Sequence, residues 1–192
     1  TKTNISYLNK DIDLKKVFWM VPIIKYSLPQ VGVVKKQMKF NSIQKEELNE
    51  IQEQLKSESC VEENVMTSID NPTGRIKFKD IRKVSIGICK KDVLSYRSKK
   101  KSAFYNCFVL ILRILDNSEF KEFHVKVFNT GKLEIPGIQT DEVFDKVIKM
   151  VVDVLTPYVD GGVEVLPDKT QTVLINSYFN CGFYINREVL FE

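Results

Sequence analysis

The sequence predicts an α+β fold in which an antiparallel sheet carries its helices on one face. Three observations point there. Apolar and polar residues alternate through 75–89 and 104–135, short polar turns separate these runs, and two stretches with helical spacing each follow a residue suited to an N-cap. The 192 residues are 43% hydrophobic and 28% charged, which is enough to bury a core in one or two domains and lies outside disordered or collagen-like composition.

In chain order, residues 1–16 are polar and aperiodic and read as an arm. The run 17–24 is apolar, short and interrupted by Pro22, so it reads as an edge strand or as a segment docked on a partner through Trp19. Residues 1–30 are thus an N-terminal arm and edge segment. The pattern of 31–41 suits a strand, and Ser42 stands where it can cap a helix that places Leu48, Ile51 and Leu55 on one face and Glu46, Glu47, Glu50 and Glu53 outward. After Asn71-Pro72-Thr73-Gly74, residues 75–89 read as half-buried strands with a basic outer side, followed by a basic loop at Lys99, Lys100 and Lys101.

Side-chain parity divides the next strands. Leu110, Leu112, Ile114, Val125, Val127, Leu133 and Ile135 take the core side. Cys107, Val109, Ile111, Arg113, His124, Lys126, Phe128, Lys132 and Glu134 take the other. A tight turn, Asn129-Thr130-Gly131-Lys132, joins the last two strands. Thr140 then caps a helix whose stripe runs Val143, Phe144, Val147, Ile148, Val151, Val154 and Leu155, ending at Thr156-Pro157. Residues 158–169, with Gly161-Gly162 and Pro167, read as a linker, 172–185 as a strand, and Asn186 as the cap of a helix starting at Arg187. Aligning Ser42 with Asn186 suggests a repeat of roughly 140 residues. On that alignment 31–157 is a full repeat with a basic insertion at about 58–102, and 170–192 is the first strand and helix start of a second. Either the chain is a piece of a longer protein or 170–192 close a half-domain.

Cys60, Cys89, Cys107 and Cys181 are widely spaced and His124 is the only histidine, so neither a metal site nor a disulfide framework is expected. The compartment is expected to be reducing and intracellular. No run approaches the roughly 20 apolar residues of a membrane span. No catalytic constellation stands out, so no enzyme activity and no cofactor are expected. The positive signal is charge. Residues 75–101 hold eleven basic residues against Asp80 and Asp92, whereas the whole chain carries +4, so the remainder is net acidic. Such segregation suits a surface that binds phosphates.

The run Val125-Lys126-Val127-Phe128-Asn129-Thr130-Gly131-Lys132-Leu133-Glu134-Ile135-Pro136-Gly137, with the helix after Thr140, resembles the signature of the TATA-box-binding protein family. Val109-Leu110-Ile111-Leu112-Arg113-Ile114 is similar to the strand that precedes it there, and the spacing resembles the divergent homologues of large nucleocytoplasmic DNA viruses. The close match covers about residues 103–156. The resemblance implies a saddle, a curved antiparallel sheet with helices on the convex face, in one full repeat plus the start of a second. It implies DNA-groove contacts from Val109, Ile111, Arg113, Lys126, Phe128, Thr130 and Lys132, with Phe128 as the wedge that unstacks a base step, a device for which this family is the standing example. Phosphate contacts from Lys99, Lys100 and Lys101 would supplement them. The partner wedge position is held by Cys107, with Tyr105 and Phe108 nearby, and Glu134 replaces an aliphatic contact. The implied function is a transcription initiation factor that binds promoter DNA through the minor groove and recruits a B-type general transcription factor and RNA polymerase. Its place would be the host cytoplasm, at a viral factory, or the nucleus, or inside the virion. A dimer is expected if the chain ends at Glu192. The alternative is a protein-interaction scaffold on the same fold that has lost specific DNA binding.

Overall fold

The computed structural model describes residues 1–95 and 105–191. Its strands are β1 (Lys2–Tyr7), β2 (Gly32–Ser42), β3 (Val61–Asp70), β4 (Phe78–Gly87), β5 (Cys107–Asp116), β6 (Glu119–Phe128), β7 (Lys132–Ile138) and β8 (Gln171–Ile175). Its helices are α1 (Leu14–Met20), α2 (Lys45–Lys56), α3 (Lys90–Leu94), α4 (Asp141–Leu155) and α5 (Arg187–Phe191). The fold is α+β. The strands form one open sheet in the order β3-β4-β2-β5-β6-β7-β1-β8, with every neighbouring pair antiparallel.

The strongest local signal produces α4. The Thr140 hydroxyl accepts from the Val143 N–H at 3.4 Å, satisfying one of the unpaired amides of the first turn, and Asp141 and Glu142 favour the positive end of the helix dipole. Val143, Phe144, Val147, Val151 and Leu155 are buried and join Leu110, Leu112, Val125, Val127, Leu133 and Ile135 in the main core. Each such side chain contributes roughly 1.5–3 kcal/mol by leaving water. Asp116, at the end of β5, accepts from Lys146 of α4 at 2.7 Å and from Lys121 of β6 at 2.8 Å, tying helix to sheet at one corner.

On the same side of the sheet, α1 buries Phe18 completely, with ring contacts to Trp19, Phe40 and Phe108 at 4.9, 5.3 and 5.6 Å. Lys36 is also buried there. Its ammonium donates to the Val21 carbonyl at 2.8 Å and lies 3.5 Å from Glu58. Burial pulls its pKa down and Glu58 opposes that pull. Arg82 is held by both Asp80 oxygens at 2.6 and 2.8 Å and by Glu63, so one of the eleven basic residues of 75–101 is neutralised inside the protein.

Several local expectations are corrected. Residues 2–7 are not an arm but a strand paired on both sides, with β7 and β8. The helix-facing residues of β1 are polar, which hid the alternation. Ser6 bonds Thr170 at 2.9 Å, and Asn4 accepts from Thr172 at 3.1 Å. The apolar run from Val17 is not an edge strand but the body of α1, capped by Asp13, whose carboxylate accepts from Lys16 N–H at 3.1 Å. Ser42 does not cap α2. It is the last residue of β2, paired with Asp80, and Gln44 takes the cap position. Within 75–89, read as strands, β4 spans Phe78–Gly87, and a short helix not expected from the sequence, α3, follows at Lys90–Leu94. The strand expected over 172–185 stops at Ile175.

β8 pairs with β1, not beside β2. The alignment of Ser42 with Asn186 therefore lacks the strand pairing it requires. Ser6-Tyr7-Leu8-Asn9 is similar in sequence to Ser177-Tyr178-Phe179-Asn180, Ile12-Asp13 to Ile185-Asn186, and Val17-Phe18 to Leu190-Phe191. Asn186 caps α5 as Asp13 caps α1, accepting from Glu188 N–H at 3.0 Å. Leu8 and Phe18 are 3% and 0% exposed, while Phe179 and Phe191 are 77% and 93% exposed.

Candidate nucleic-acid interface

α1, α2 and α4 cover one side of the sheet, and the candidate residues meet on the other. Cys107, Val109, Ile111 and Arg113 of β5 lie opposite Phe128, Lys126, His124 and Glu122 of β6, and Lys126 lies opposite Glu134 of β7. Pairing across strands sorts this face into two ends.

At one end a transverse row crosses six strands. Lys83 of β4 is directly opposite Lys39 of β2, Cys107 of β5 is opposite Phe128 of β6, and Lys132 of β7 is opposite Tyr7 of β1. The Lys39 ammonium sits 3.7 Å from the centre of the Tyr105 ring, and the Lys132 ammonium 5.5 Å from that of Phe128. The Lys39/Lys83 pairing thus sets two cationic side chains side by side on this face. Cys107 is 3% exposed and burial pushes its thiol up to about 11, so it stays neutral at physiological pH and acts as a small apolar floor. Of its two aromatic neighbours, Phe108 is fully buried on the helix side, whereas Tyr105 is 54% exposed beside Lys39. Thr130 lies exposed in the turn after Phe128. That turn depends on Gly131, whose φ of +74° is left-handed and where a Cβ would sit 2.5 Å from the Lys10 carbonyl.

The other end is covered by the chain itself. Ile111 is fully buried in a small cluster with Val34 and Cys89, against which Ile24 and Val109 pack. Arg113 is 6% exposed. Its guanidinium donates to the carbonyls of Tyr26 and Leu28, both at 3.0 Å, and to Glu122 at 3.2 Å, with the Tyr26 ring 4.6 Å from its central carbon. Glu122 also accepts from the Lys90 N–H at 2.7 Å, and Lys35 clips Asp92 of α3 at 2.9 Å. Burial works upward on the Asp92 carboxyl, but hydrogen bonds from Lys35 and Cys89 hold it below the usual carboxylate range. Burial, reinforced by Lys91, lowers the pKa of His124 beneath the same cover.

Ile111 and Arg113, expected as groove contacts, are thus buried in this structure. Parity gives them the right face, but residues 22–31 and α3 lie over them. Val109, Lys126, Phe128 and Lys132 are half-buried, with Lys126 ion-paired to Glu134. Lys99, Lys100 and Lys101 lie outside the described residues. Lys39, Lys83 and Tyr7 were not selected from the sequence. Their parity was readable, but the register that aligns them is set by strands distant in the chain.

Elsewhere, a groove of about 330 Å³ lies on the helix side, lined by Trp19, Phe40 and Ile51 with Lys15, Lys16, Glu47 and Glu50 at its rim. Among the described residues no His/Cys/Asp/Glu group could hold a metal ion, and no helix is long and apolar enough to cross a membrane. All four cysteines are free thiols. No family model, curated protein or solved structure matches the chain.

Proposed function

We propose that the chain is a non-enzymatic transcription initiation factor that grips double-stranded DNA through the minor groove with the sheet face turned away from its helices. One observation carries this reading: the row Lys83, Lys39, Phe128, Lys132 and Tyr7 lies across the sheet with Tyr105 beside it. Six strands at ~4.8 Å spacing make the row about 24 Å long, close to seven base pairs at ~3.4 Å rise. Lysines along such a row hold phosphates without reading sequence, and Phe128 supplies the apolar wedge that suits a groove with a degenerate hydrogen-bonding floor. The bound duplex bends around the sheet, which acts as a saddle, and the helix side serves as the platform for a B-type factor and RNA polymerase.

A second reading has its own support. The cover over Ile111 and Arg113, and the Lys126–Glu134 pair, both subtract from a DNA surface and suit a scaffold that binds acidic proteins. Phe128→Ala and, separately, charge reversal of Lys99, Lys100 and Lys101 discriminate the two. Under the first reading each variant weakens binding to a labelled duplex by about tenfold or more, equivalent to ~1.4 kcal/mol. A chain whose duplex affinity is untouched by both variants, with Phe128→Ala altering stability alone, is the scaffold.

A further inference from the structure

We propose that residues 22–31 are an autoinhibitory strap, which in the closed state withholds Val34, Ile111 and Arg113 from DNA and which the duplex must displace to complete its contact surface. This inference rests on the DNA-binding reading above. The strap has no helix or strand of its own and is bracketed by Pro22 and Pro29. One backbone bond pins it to β2, from Ile24 N–H to the Val33 carbonyl at 2.8 Å, and the guanidinium of Arg113 pins the carbonyls of Tyr26 and Leu28. Its apolar anchor, Ile24, packs on the small Val34, Cys89 and Ile111 cluster, which is separate from the main core. Ile23, at the start of the strap, packs on the main core and holds that end in place, so lifting the strap from Ile24 onward uncovers the small cluster while the core under α1, α2 and α4 keeps its packing, which is the condition for a low-cost local opening.

The same arrangement supplies the exchange that opening requires. A ligand shifts an equilibrium only by what it gains in one state over the other. Closed, Arg113 has its donors on two carbonyls and Glu122. Open, the bonds to Tyr26 and Leu28 are released and that side of the guanidinium is available to a phosphate, while Glu122 on the neighbouring strand keeps its bond, and Ile111 and Val109 extend the apolar floor from Phe128 along β5. Duplex that meets the closed protein engages only the lysine and aromatic row, so its apparent affinity is reduced by the fraction of molecules that are open.

The test replaces both strap anchors, Ile24→Gly with Tyr26→Gly, leaving every residue of the face in place. Binding of a fluorescein-labelled duplex of about 20 base pairs is followed by anisotropy. The opened chain is expected to bind at least about tenfold tighter than the parent, and adding Arg113→Gln to the opened chain should abolish the gain. If the parent binds and the opened chain binds no tighter, the strap is inert and the inference is overturned while the DNA reading stands. If neither binds at low salt, both are overturned. Amide exchange on the parent chain covers the case in which the opened chain does not fold. The Ile24 amide is expected to exchange about a hundredfold faster than that of Leu112 on central strand β5, and faster still with duplex present. Exchange of Ile24 as slow as Leu112 refutes a strap that opens.

Discussion

The two ends of the sheet face opposite the helices have the same parity and the same strands, yet they do different things. At the Phe128 end, cations and aromatic rings stand in line and half-exposed. At the Arg113 end, a cation of the same kind is spent inside the protein, on Tyr26, Leu28 and Glu122. The difference teaches that alternation along a strand decides which way a side chain points, while segments far away in the chain decide whether anything can reach it.

The comparison can be broken most sharply by truncating one apolar residue sealed beneath the cover and one at its margin. Ile111→Ala should cost about 2 kcal/mol in urea unfolding, low in the range for a buried isoleucine because its small cluster can relax. Val109→Ala, half-buried two residues earlier, should cost about half of that. Equal costs mean that the Arg113 end is not sealed. Phe128→Ala comes next, with about 1 kcal/mol lost in stability against about a tenfold loss of duplex affinity, so that its binding defect exceeds its folding defect.

A smaller effect comes from pH. The Asp92 pKa is lowered in the fold, so its contribution to stability is present above the ordinary carboxylate range and is lost as pH falls through it. The His124 pKa is lowered too. Below its ordinary range, near 6.5, the unfolded chain takes up a proton that the native chain refuses, and stability falls. Lys35, Lys91, Glu122 and Asp92 surround this imidazole, and all belong to the covered end. Acidification from pH 7 should therefore raise amide exchange in α3 and at Ile24 before it does so in α4. Simultaneous loosening of both would mean that the two ends are not independent.

What was legible from the sequence was local. The Thr140 cap, the stripe of α4 and the turn around Gly131 each depend on residues within a few positions of one another, and the structure has them as read. The α+β class and the inward parity of Leu110, Leu112, Val125 and Val127 followed from the same short-range periodicity. What was not legible depends on distant pairing. The apolar run Val17-Phe18-Trp19-Met20 has no period that separates helix from strand, and Asp13, its cap, was the usable signal. The polar Asn4 and Ser6 disguised β1 because their partners, Thr172 and Thr170, lie at the far end of the chain. Lys39 and Lys83 could not be placed together before β2 and β4 were paired, and nothing in 22–31 announces that Arg113 will take its carbonyls.

The salt dependence of duplex binding, measured for the parent chain and for Lys39→Gln/Lys83→Gln/Lys132→Gln between about 50 and 200 mM salt, tests most directly whether the Phe128 end grips the DNA backbone. Each lysine that holds a phosphate contributes about 0.9 to the slope of log affinity against log salt, so the triple variant should show a slope shallower by about 3. Identical slopes for the two chains would contradict the assignment of this row to DNA.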